Sequence, residues 1–322
     1  MSSGPSTRPV VVLGASGFVG RHLVADLVKR WSGPVLVVSR RAPGTGPAGV
    51  ETIQADLGDP SWSGRVPTGA AFVNLAWDAT GGRDANLALA DGVARACAAA
   101  HAERLVHVST AMVAGRARGP WIDERTPCRP VNEYQRTKLD VEARVAARSR
   151  DRVGLVVLRP TAVFGAGGLN LRRLARDLLT RPAAENYLRA CLYGRRPMHL
   201  VPVETVVRVV EFAAREARAI VDGVYMVSAD AAPSNNFADV ERVMRGALGL
   251  PARRLPPVRL PAGALAFAMR AAGRLSGDPA ARFSSVRLDA AGFVPPVMFE
   301  AALAAYAARA RDEVADPSGG AE

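Results

Sequence analysis

The stretch Gly14-Ala15-Ser16-Gly17-Phe18-Val19-Gly20 decides the fold, and it directly follows the apolar run Pro9–Leu13. The run predicts a β-strand, and the regularly spaced glycines open the helix that comes next. We expect the first glycine to permit a sharp turn, the second to let the backbone approach a pyrophosphate, and the third to let helix and strand pack closely. The N–H groups and positive dipole end of the helix would then bind phosphates. The whole stretch is a candidate cofactor-binding loop.

Short β-branched runs alternate with helical stretches through the first half of the chain, which is typical of a doubly wound parallel sheet. The predicted strands are Pro9–Leu13, Pro34–Ser39, Val50–Gln54, Ala71–Leu75, Arg104–Ser109 and Leu155–Arg159. The predicted helices between them are Phe18–Trp31, Asp84–Ala102 and Asn132–Ala147. Joined by right-handed helical crossovers, these strands make one Rossmann-type α/β sheet.

The alternation fades after Pro160, and the second half of the chain is mostly helical in pattern. Its predicted helices are Leu169–Leu179, Thr205–Arg218, Phe237–Leu248, Gly263–Leu275 and Met298–Ala310, and its predicted strands are His199–Val203 and Val224–Val227. We therefore expect a cofactor-binding Rossmann domain over residues 1–165 and a smaller, mostly helical C-terminal substrate domain over residues 166–311. Segments near residues 199–228 should return to the sheet, and residues 312–322 should form a loose tail.

The ends of the early strands indicate how a dinucleotide would be held. The second strand ends in Ser39-Arg40-Arg41, where arginine suits a 2′-phosphate through bidentate contacts, so NADP(H) is favoured and NAD(H) is the alternative. Arginines that merely face solvent are the other interpretation. Asp56-Leu57 are placed to hold the adenine edge and Leu75-Ala76 to line the cofactor trench, although either pair could equally serve as loop capping and core.

Tyr134 and Lys138 are four residues apart on a predicted helix and so share one face of it. A neighbouring ammonium charge favours the phenolate and should lower the pKa of Tyr134 towards the working range. The phenol could then exchange a proton with a substrate hydroxyl or carbonyl while hydride moves to or from a nicotinamide. Thr110, at the carboxyl end of the fifth strand, could align the reacting oxygen. The alternative is an exposed tyrosine over a surface lysine.

The formal net charge is +12, and the basic residues are nearly all arginine, with lysine only at Lys29 and Lys138. They are spread along the chain without interleaved aromatic residues, which favours small anionic substrates over nucleic acid. No apolar run approaches the roughly 20 residues that span a bilayer, and no secretory signal is recognisable, so we expect a cytoplasmic protein with no membrane partner. The cysteines and histidines lack metal-ligand spacing, so we expect no metal.

Taken together, these residues resemble the extended short-chain dehydrogenase/reductases, the family of NAD(P)-dependent sugar-nucleotide epimerases, dehydratases and ketoreductases. The motifs that carry the resemblance are Gly14–Gly20, Asp56-Leu57, Asn74-Leu75-Ala76, Val108–Gly115, Tyr134-x-x-x-Lys138, Leu158–Gly165, His199–Val207 and Ala291–Pro295.

The resemblance implies a role for individual residues. Thr110 would be the hydroxyl partner, Tyr134 the acid/base and Lys138 the ribose-binding electrostatic helper. Pro160 would lie against the nicotinamide carboxamide, and Arg195 or Arg196 is a candidate for a substrate phosphate. A homodimer is a family expectation, formed through a bundle that includes the Tyr134 helix and the helix at Asp84–Ala102.

Two departures from the family narrow the function. Ala111-Met112 replace the acidic pair of the 4,6-dehydratases, and Ala114 replaces a frequent tyrosine of the sugar site. We expect an NADPH-dependent ketoreductase that acts on an anionic keto substrate, such as a nucleotide-linked keto-sugar. The alternatives are a sugar-nucleotide epimerase with tightly held NAD, a reductase of a hydrophobic ketone, and a non-catalytic cofactor-binding protein.

Overall fold

The computed structural model describes residues 8–40, 48–150, 152–215, 220–251, 253, 255–258, 263, 267 and 278–315. The strands are β1 (Val10–Leu13), β2 (Val35–Ser39), β3 (Val50–Gln54), β4 (Ala71–Asn74), β5 (Arg104–Val108), β6 (Trp121–Ile122), β7 (Gly154–Pro160), β8 (Ala162–Phe164), β9 (Leu200–Pro202), β10 (Gly223–Val227) and β11 (Arg282–Phe283). The helices are α1 (Phe18–Arg30), α2 (Gly82–Ala99), α3 (Glu133–Ser149), α4 (Leu169–Thr180), α5 (Ala183–Tyr193), α6 (Val203–Arg215), α7 (Phe237–Ala247), α8 (Val286–Ala290), α9 (Phe299–Ala307) and α10 (Ala310–Ala315).

Seven of the strands form one parallel sheet in the order β10-β7-β5-β4-β1-β2-β3. Val10 of β1 lies opposite Val35 on one side and Ala71 on the other. The chain thus runs outward from β1 to β3 and then crosses to β4 and continues in the opposite direction. Such a switch opens a crevice at the carboxyl ends of the two central strands, which is where open α/β sheets bind ligands.

Side chains of β1 alternate between the two faces of the sheet, as a strand requires. Val10 and Val12 pack in a buried cluster with residues of α1 and α6. Val11 and Leu13 pack in a second cluster with residues of α2 and α3. Both faces of the sheet are therefore covered by helices, which explains why its central strands are mostly apolar and buried.

A third buried cluster lies beyond the sheet and joins α4, α7 and α9 around Phe164 and Leu200. These two residues belong to β8 and β9, which pair with each other in a separate two-stranded sheet. A further short sheet pairs β6 with β11. The second half of the chain thus builds a mostly helical unit against the carboxyl edge of the main sheet, as predicted for the fold class.

The strands predicted in the first half of the chain are confirmed to within two residues. The strand at Val224–Val227 does return to the main sheet, as β10, whereas the one at His199–Val203 becomes β9 and pairs with β8 instead. The predicted helix Met298–Ala310 is interrupted after Ala307. The expected tail is partly wrong, because α10 continues to Ala315. Apart from Gly263 and Phe267, the predicted helix Gly263–Leu275 lies outside the described residues, as do residues 316–322.

No helix in the described part of the chain has both the length and the apolar character to cross a membrane. The same residues contain no group of three or more histidine, cysteine or acidic side chains that could hold a metal ion. The domain boundary at residue 165 stays a prediction.

Candidate active site

The glycine loop lies at the switch point of the sheet, between the ends of β1 and β4. Gly14 has a φ of +80°, and a Cβ atom on it would lie 2.8 Å from the backbone nitrogen of Ala76. A Cβ atom on Gly20 would lie 2.2 Å from the carbonyl oxygen of Gly14. At Gly17 the nearest atom would be that same oxygen, at 3.5 Å, which is ordinary contact. The first and third glycines are thus required by the fold, whereas a Cβ atom at the second would meet no clash.

The start of α1 fits the phosphates of a dinucleotide. Gly17 is the N-terminal cap, no side chain caps the helix, and the first turn contains no acidic residue. The first N–H groups of the helix are therefore available to an anion, and the helix dipole favours one there. Ser16 is exposed at the turn, while Phe18 and Val19 are partly buried against the core. The loop predicted to bind the cofactor has the cradle that this role needs.

The other predicted cofactor residues that the structure describes lie at or just beyond the carboxyl ends of strands. The Leu75 N–H donates to the carbonyl of Leu13 at 2.9 Å, which places Leu75-Ala76 beside the glycine loop. Asp56 accepts a hydrogen bond from the N–H of Gly58 at 2.8 Å, so one carboxylate oxygen caps its own turn, and Leu57 packs against the core. Arg40 is exposed at the end of β2, and Arg41 lies outside the described residues. Pro160 is the buried last residue of β7.

A reciprocal cap sets the start of α3 and so the position of Tyr134. The side chain of Asn132 accepts from the N–H of Gln135 at 2.9 Å, and the Gln135 side chain accepts from the N–H of Val131 at 2.8 Å. This arrangement is a variant of the capping box in which the Gln135 side chain reaches the residue before the N-cap, and it fixes where the helix begins. Tyr134 is consequently held in the first turn of α3.

The side chains of Thr110 and Tyr134 come within hydrogen-bonding reach of each other. Thr110 also caps the short 3₁₀ turn Ala111–Ala114 by accepting from the N–H of Met112 at 3.2 Å. Burial raises the pKa of Tyr134, and the hydrogen bond with Thr110 acts in the opposite direction. The predicted lowering of this pKa by Lys138 is therefore wrong: desolvation of the phenolate outweighs the effects that favour it. The phenol stays protonated and suits proton donation.

Lys138 lies one turn beyond Tyr134 and is buried. Burial lowers the pKa of its ammonium group to about 8, and the charge of Glu142 partly opposes this. Glu142, a further turn along the same face, forms an ion pair with Arg159 of β7, with N–O distances of 3.0 and 2.5 Å. Both partners of the pair are buried. The face of α3 that carries the predicted acid/base pair is thus tied to the sheet by a buried salt bridge.

The sequence-based prediction missed Trp77 and His107 at this site, and it gave Asn74 only as part of a motif. The Lys138 ammonium lies 3.9 Å from the ring centre of Trp77, whose indole also contacts the Tyr134 ring edge to face at 5.4 Å between centroids. The Asn74 amide donates to Nδ1 of His107 at 3.1 Å and accepts from the N–H of Ala76 at 3.0 Å. Burial, with a smaller effect of the Lys138 charge, lowers the pKa of His107 to about 3. His107 is therefore a neutral supporting residue.

The predicted substrate residues lie in the segment before β9. Arg195 is exposed, 3.5 Å from the carboxylate of Asp239. Burial lowers the pKa of Arg196, whose guanidinium lies 5.8 Å from the ring centre of Tyr193. Among the described residues, neither arginine has a recorded contact with Tyr134. Their assignment to a substrate phosphate stays a prediction.

Comparison with known proteins identifies the family. The model of the NAD-dependent epimerase/dehydratase family matches residues 10–228, which is more than half of the chain. The chain belongs to this family. It is therefore an NAD(P)-dependent enzyme of the epimerase/dehydratase type, and the resemblance found in the sequence is confirmed.

A 2-alkyl-3-oxoalkanoate reductase of Stenotrophomonas maltophilia (strain K279a) is 32% identical over 174 residues, covering 50% of this chain and 53% of that protein. The chain thus aligns with only about half the length of this curated relative. Among solved structures, Bordetella bronchiseptica WbmG in complex with NAD has a TM-score of 0.71 at 18% identity, over 98% of this chain and 97% of that one. The UDP-glucose 4-epimerase of Thermus thermophilus in complex with NAD has a TM-score of 0.65 at 21% identity, over 94% and 99% of the two chains. Both structures share the fold.

Proposed function

We propose that this enzyme reduces the keto group of an anionic substrate, with Tyr134 as the proton donor. The observation that carries the proposal is the protonated phenol of Tyr134 within reach of the Thr110 hydroxyl at the carboxyl edge of the sheet. A carbonyl oxygen placed between these two hydroxyl groups would be oriented by Thr110 and protonated by Tyr134. A reduced nicotinamide bound in the crevice would supply the hydride to the carbonyl carbon, so that the product is a secondary alcohol.

NADPH is the proposed reductant, because Arg40 is exposed at the end of β2, where the adenosine ribose of a dinucleotide is expected. A guanidinium group there suits a 2′-phosphate. The Lys138 ammonium would bind the nicotinamide ribose. NADH, or tightly held NAD in an epimerase, is the alternative.

The site favours a keto acid with apolar substituents as the substrate. Met112, two residues beyond Thr110, is 52% exposed, and the indole of Trp77 lies beside Tyr134. Apolar groups beside the proposed proton donor and beside Thr110 suit alkyl chains. The name of the curated relative describes such a substrate, a 3-oxoalkanoate with an alkyl branch. The excess of basic residues would attract its carboxylate.

A nucleotide-linked keto-sugar is the second candidate. Bordetella bronchiseptica WbmG, with which this chain shares its fold, has been solved with NAD and UDP. Arg195 and Arg196 would then bind a substrate phosphate. Homodimer formation through α2 and α3 also stays a prediction, which a measurement of molecular mass in solution would test.

A portion of the purified protein is first denatured to identify any cofactor retained from purification. The rest is titrated in parallel with NADPH and NADH, and binding is followed by nicotinamide fluorescence. We expect reversible binding with preference for NADPH. Arg40→Ala should weaken NADPH but not NADH binding, whereas Arg242→Ala, which removes an exposed arginine of α7, should affect neither. Retained NAD, or a preference for NADH, would instead favour the epimerase as the function of this enzyme.

Turnover is then measured by oxidation of the preferred cofactor with a 2-alkyl-3-oxoalkanoate, its methyl ester and a UDP-linked 4-keto-sugar. We expect the free acid to be reduced fastest, and Tyr134→Phe to lower kcat by about 10² to 10⁴-fold without changing cofactor affinity. Equal activity of wild type and Tyr134→Phe on every substrate would refute the proposed role. Turnover of the keto-sugar alone would establish the second candidate.

A further inference from the structure

Trp77 is in contact with both members of the proposed acid/base pair. It follows Ala76 beyond the carboxyl end of β4, and its side chain is partly buried. The Lys138 ammonium lies over its ring at 3.9 Å from the centroid, and the Tyr134 ring meets it edge to face, with an interplanar angle of 80°. The centre of the Tyr134 ring is farther from the ammonium, at 5.9 Å. The indole is thus the aromatic ring on which Lys138 rests.

The charge of Lys138 has limited compensation from carboxylates. Glu142 is the acidic residue whose charge favours the ammonium, but both of its oxygens accept hydrogen bonds from Arg159. A buried ammonium group needs an electron-rich partner, and the face of tryptophan is the best of the aromatic side chains in this role. The ring therefore opposes the loss of the proton that burial promotes.

We propose that Trp77 is a positioning residue that holds the Lys138 ammonium on its π face and so keeps it in place for the ribose hydroxyls of the cofactor. The proposal rests on the proposed role of Lys138. The same indole fixes the Tyr134 ring, so one side chain would set the position of both groups. A residue with this task must be aromatic, because an aliphatic side chain of similar bulk can fill the space but cannot attract the charge.

The chain offers a direct test, because Lys29 and Lys138 are its only lysines. Lysine labelled with ¹³C at Cε gives one NMR signal from each, and Lys29→Arg assigns them. Lys29 is exposed on α1 and serves as the internal reference. In the cofactor-free protein we expect the Hε signals of Lys138 to be shifted upfield by the indole ring current. The shift should vanish in Trp77→Leu, diminish in Trp77→Phe and persist in Trp121→Leu, which removes an exposed tryptophan of β6.

A further readout on the same samples tests the effect of the ring on the charge. In a pH titration, Lys138 of Trp77→Leu should lose its proton at lower pH than Lys138 of the wild type. The pKa of Lys138 in Trp77→Phe should lie between its values in the wild type and in Trp77→Leu. If Trp77→Leu does not fold, the comparison of Trp77→Phe with the wild type decides the outcome. A Lys138 signal without an upfield shift in the wild type, or identical in wild type and Trp77→Phe, would overturn the proposal. Because these signals require no turnover, a ring-current shift in a protein without reductase activity would retain this inference and reject the proposed reaction.

Discussion

At the scale of single residues, the protonation state of Lys138 makes cofactor binding depend on pH. Its pKa is lowered from 10.5 to about 8 because the group is buried. The ammonium is therefore charged below about pH 8 and becomes neutral above it. We expect the Kd for NADPH to be constant at lower pH and to rise as the pH passes through this value. Lys138→Arg, which stays charged, should bind without this dependence. Fluorescence titrations with NADPH at a series of pH values on both sides of pH 8 measure this Kd. A wild-type Kd that does not change with pH would contradict the role of Lys138.

The buried pair of Glu142 and Arg159 gives a second prediction at this scale. Removing one partner leaves an uncompensated buried charge, so Glu142→Ala should lower the free energy of unfolding by about 3–5 kcal/mol. The double variant Glu142→Leu/Arg159→Met should recover most of that loss, because apolar side chains replace such pairs at little cost. Urea denaturation followed by circular dichroism provides the values. A loss below about 1 kcal/mol in Glu142→Ala, as for an exposed pair, would show that the pair is solvated.

At the scale of secondary-structure elements, the turn from β1 to α1 determines whether the crevice forms. Gly14→Ala places a Cβ atom 2.8 Å from the backbone of Ala76 at a φ of +80°. The positive φ alone costs about 1–2 kcal/mol, so we expect the free energy of unfolding to fall by at least that amount and NADPH binding to weaken. Gly246→Ala is the matched control: Gly246 lies within α7 with nothing within 4 Å of the added Cβ. It should stabilise the protein by about 0.5–1 kcal/mol and leave binding unchanged. Equal effects of the two changes in denaturation and binding experiments would contradict this account of the loop.

The elements also show how far the sequence alone could lead. The strands β1 to β5 are short runs rich in apolar or β-branched residues and bounded by turns, and Tyr134 and Lys138 share a helix, so local patterns were sufficient to predict both. By contrast, β6 and β11 have two residues each, which is too short for any periodicity to be seen. The contact of Trp77 with Lys138 joins the segment after β4 to α3, and the direction of the Tyr134 pKa shift depends on burial. Both are properties of the tertiary structure and could not be read from spacing.

At the scale of the whole molecule, the net charge of +12 creates a field that acts on every charged ligand. Many of the arginines are paired in the folded chain, as Arg144 and Arg148 are with Asp91 between α2 and α3. Such pairs reduce the local electrostatic field but leave the net positive charge of the molecule unchanged. An anionic substrate should therefore be attracted from a distance, independently of the contacts it makes in the site.

This attraction predicts a salt dependence that distinguishes an anionic from a neutral substrate. Raising the ionic strength from about 0.01 to 0.1 M shortens the screening length from about 30 to 10 Å. We expect kcat/KM for the free keto acid to fall several-fold, up to about tenfold, because steering of an anion is screened. The methyl ester of the same acid carries no charge and should show little change, which makes it the control for effects of salt on the enzyme itself. Initial rates at low substrate concentration measure both. Parallel loss of activity with acid and ester would mean that salt acts on cofactor binding or on the fold, and that the positive charge has no part in capturing the substrate.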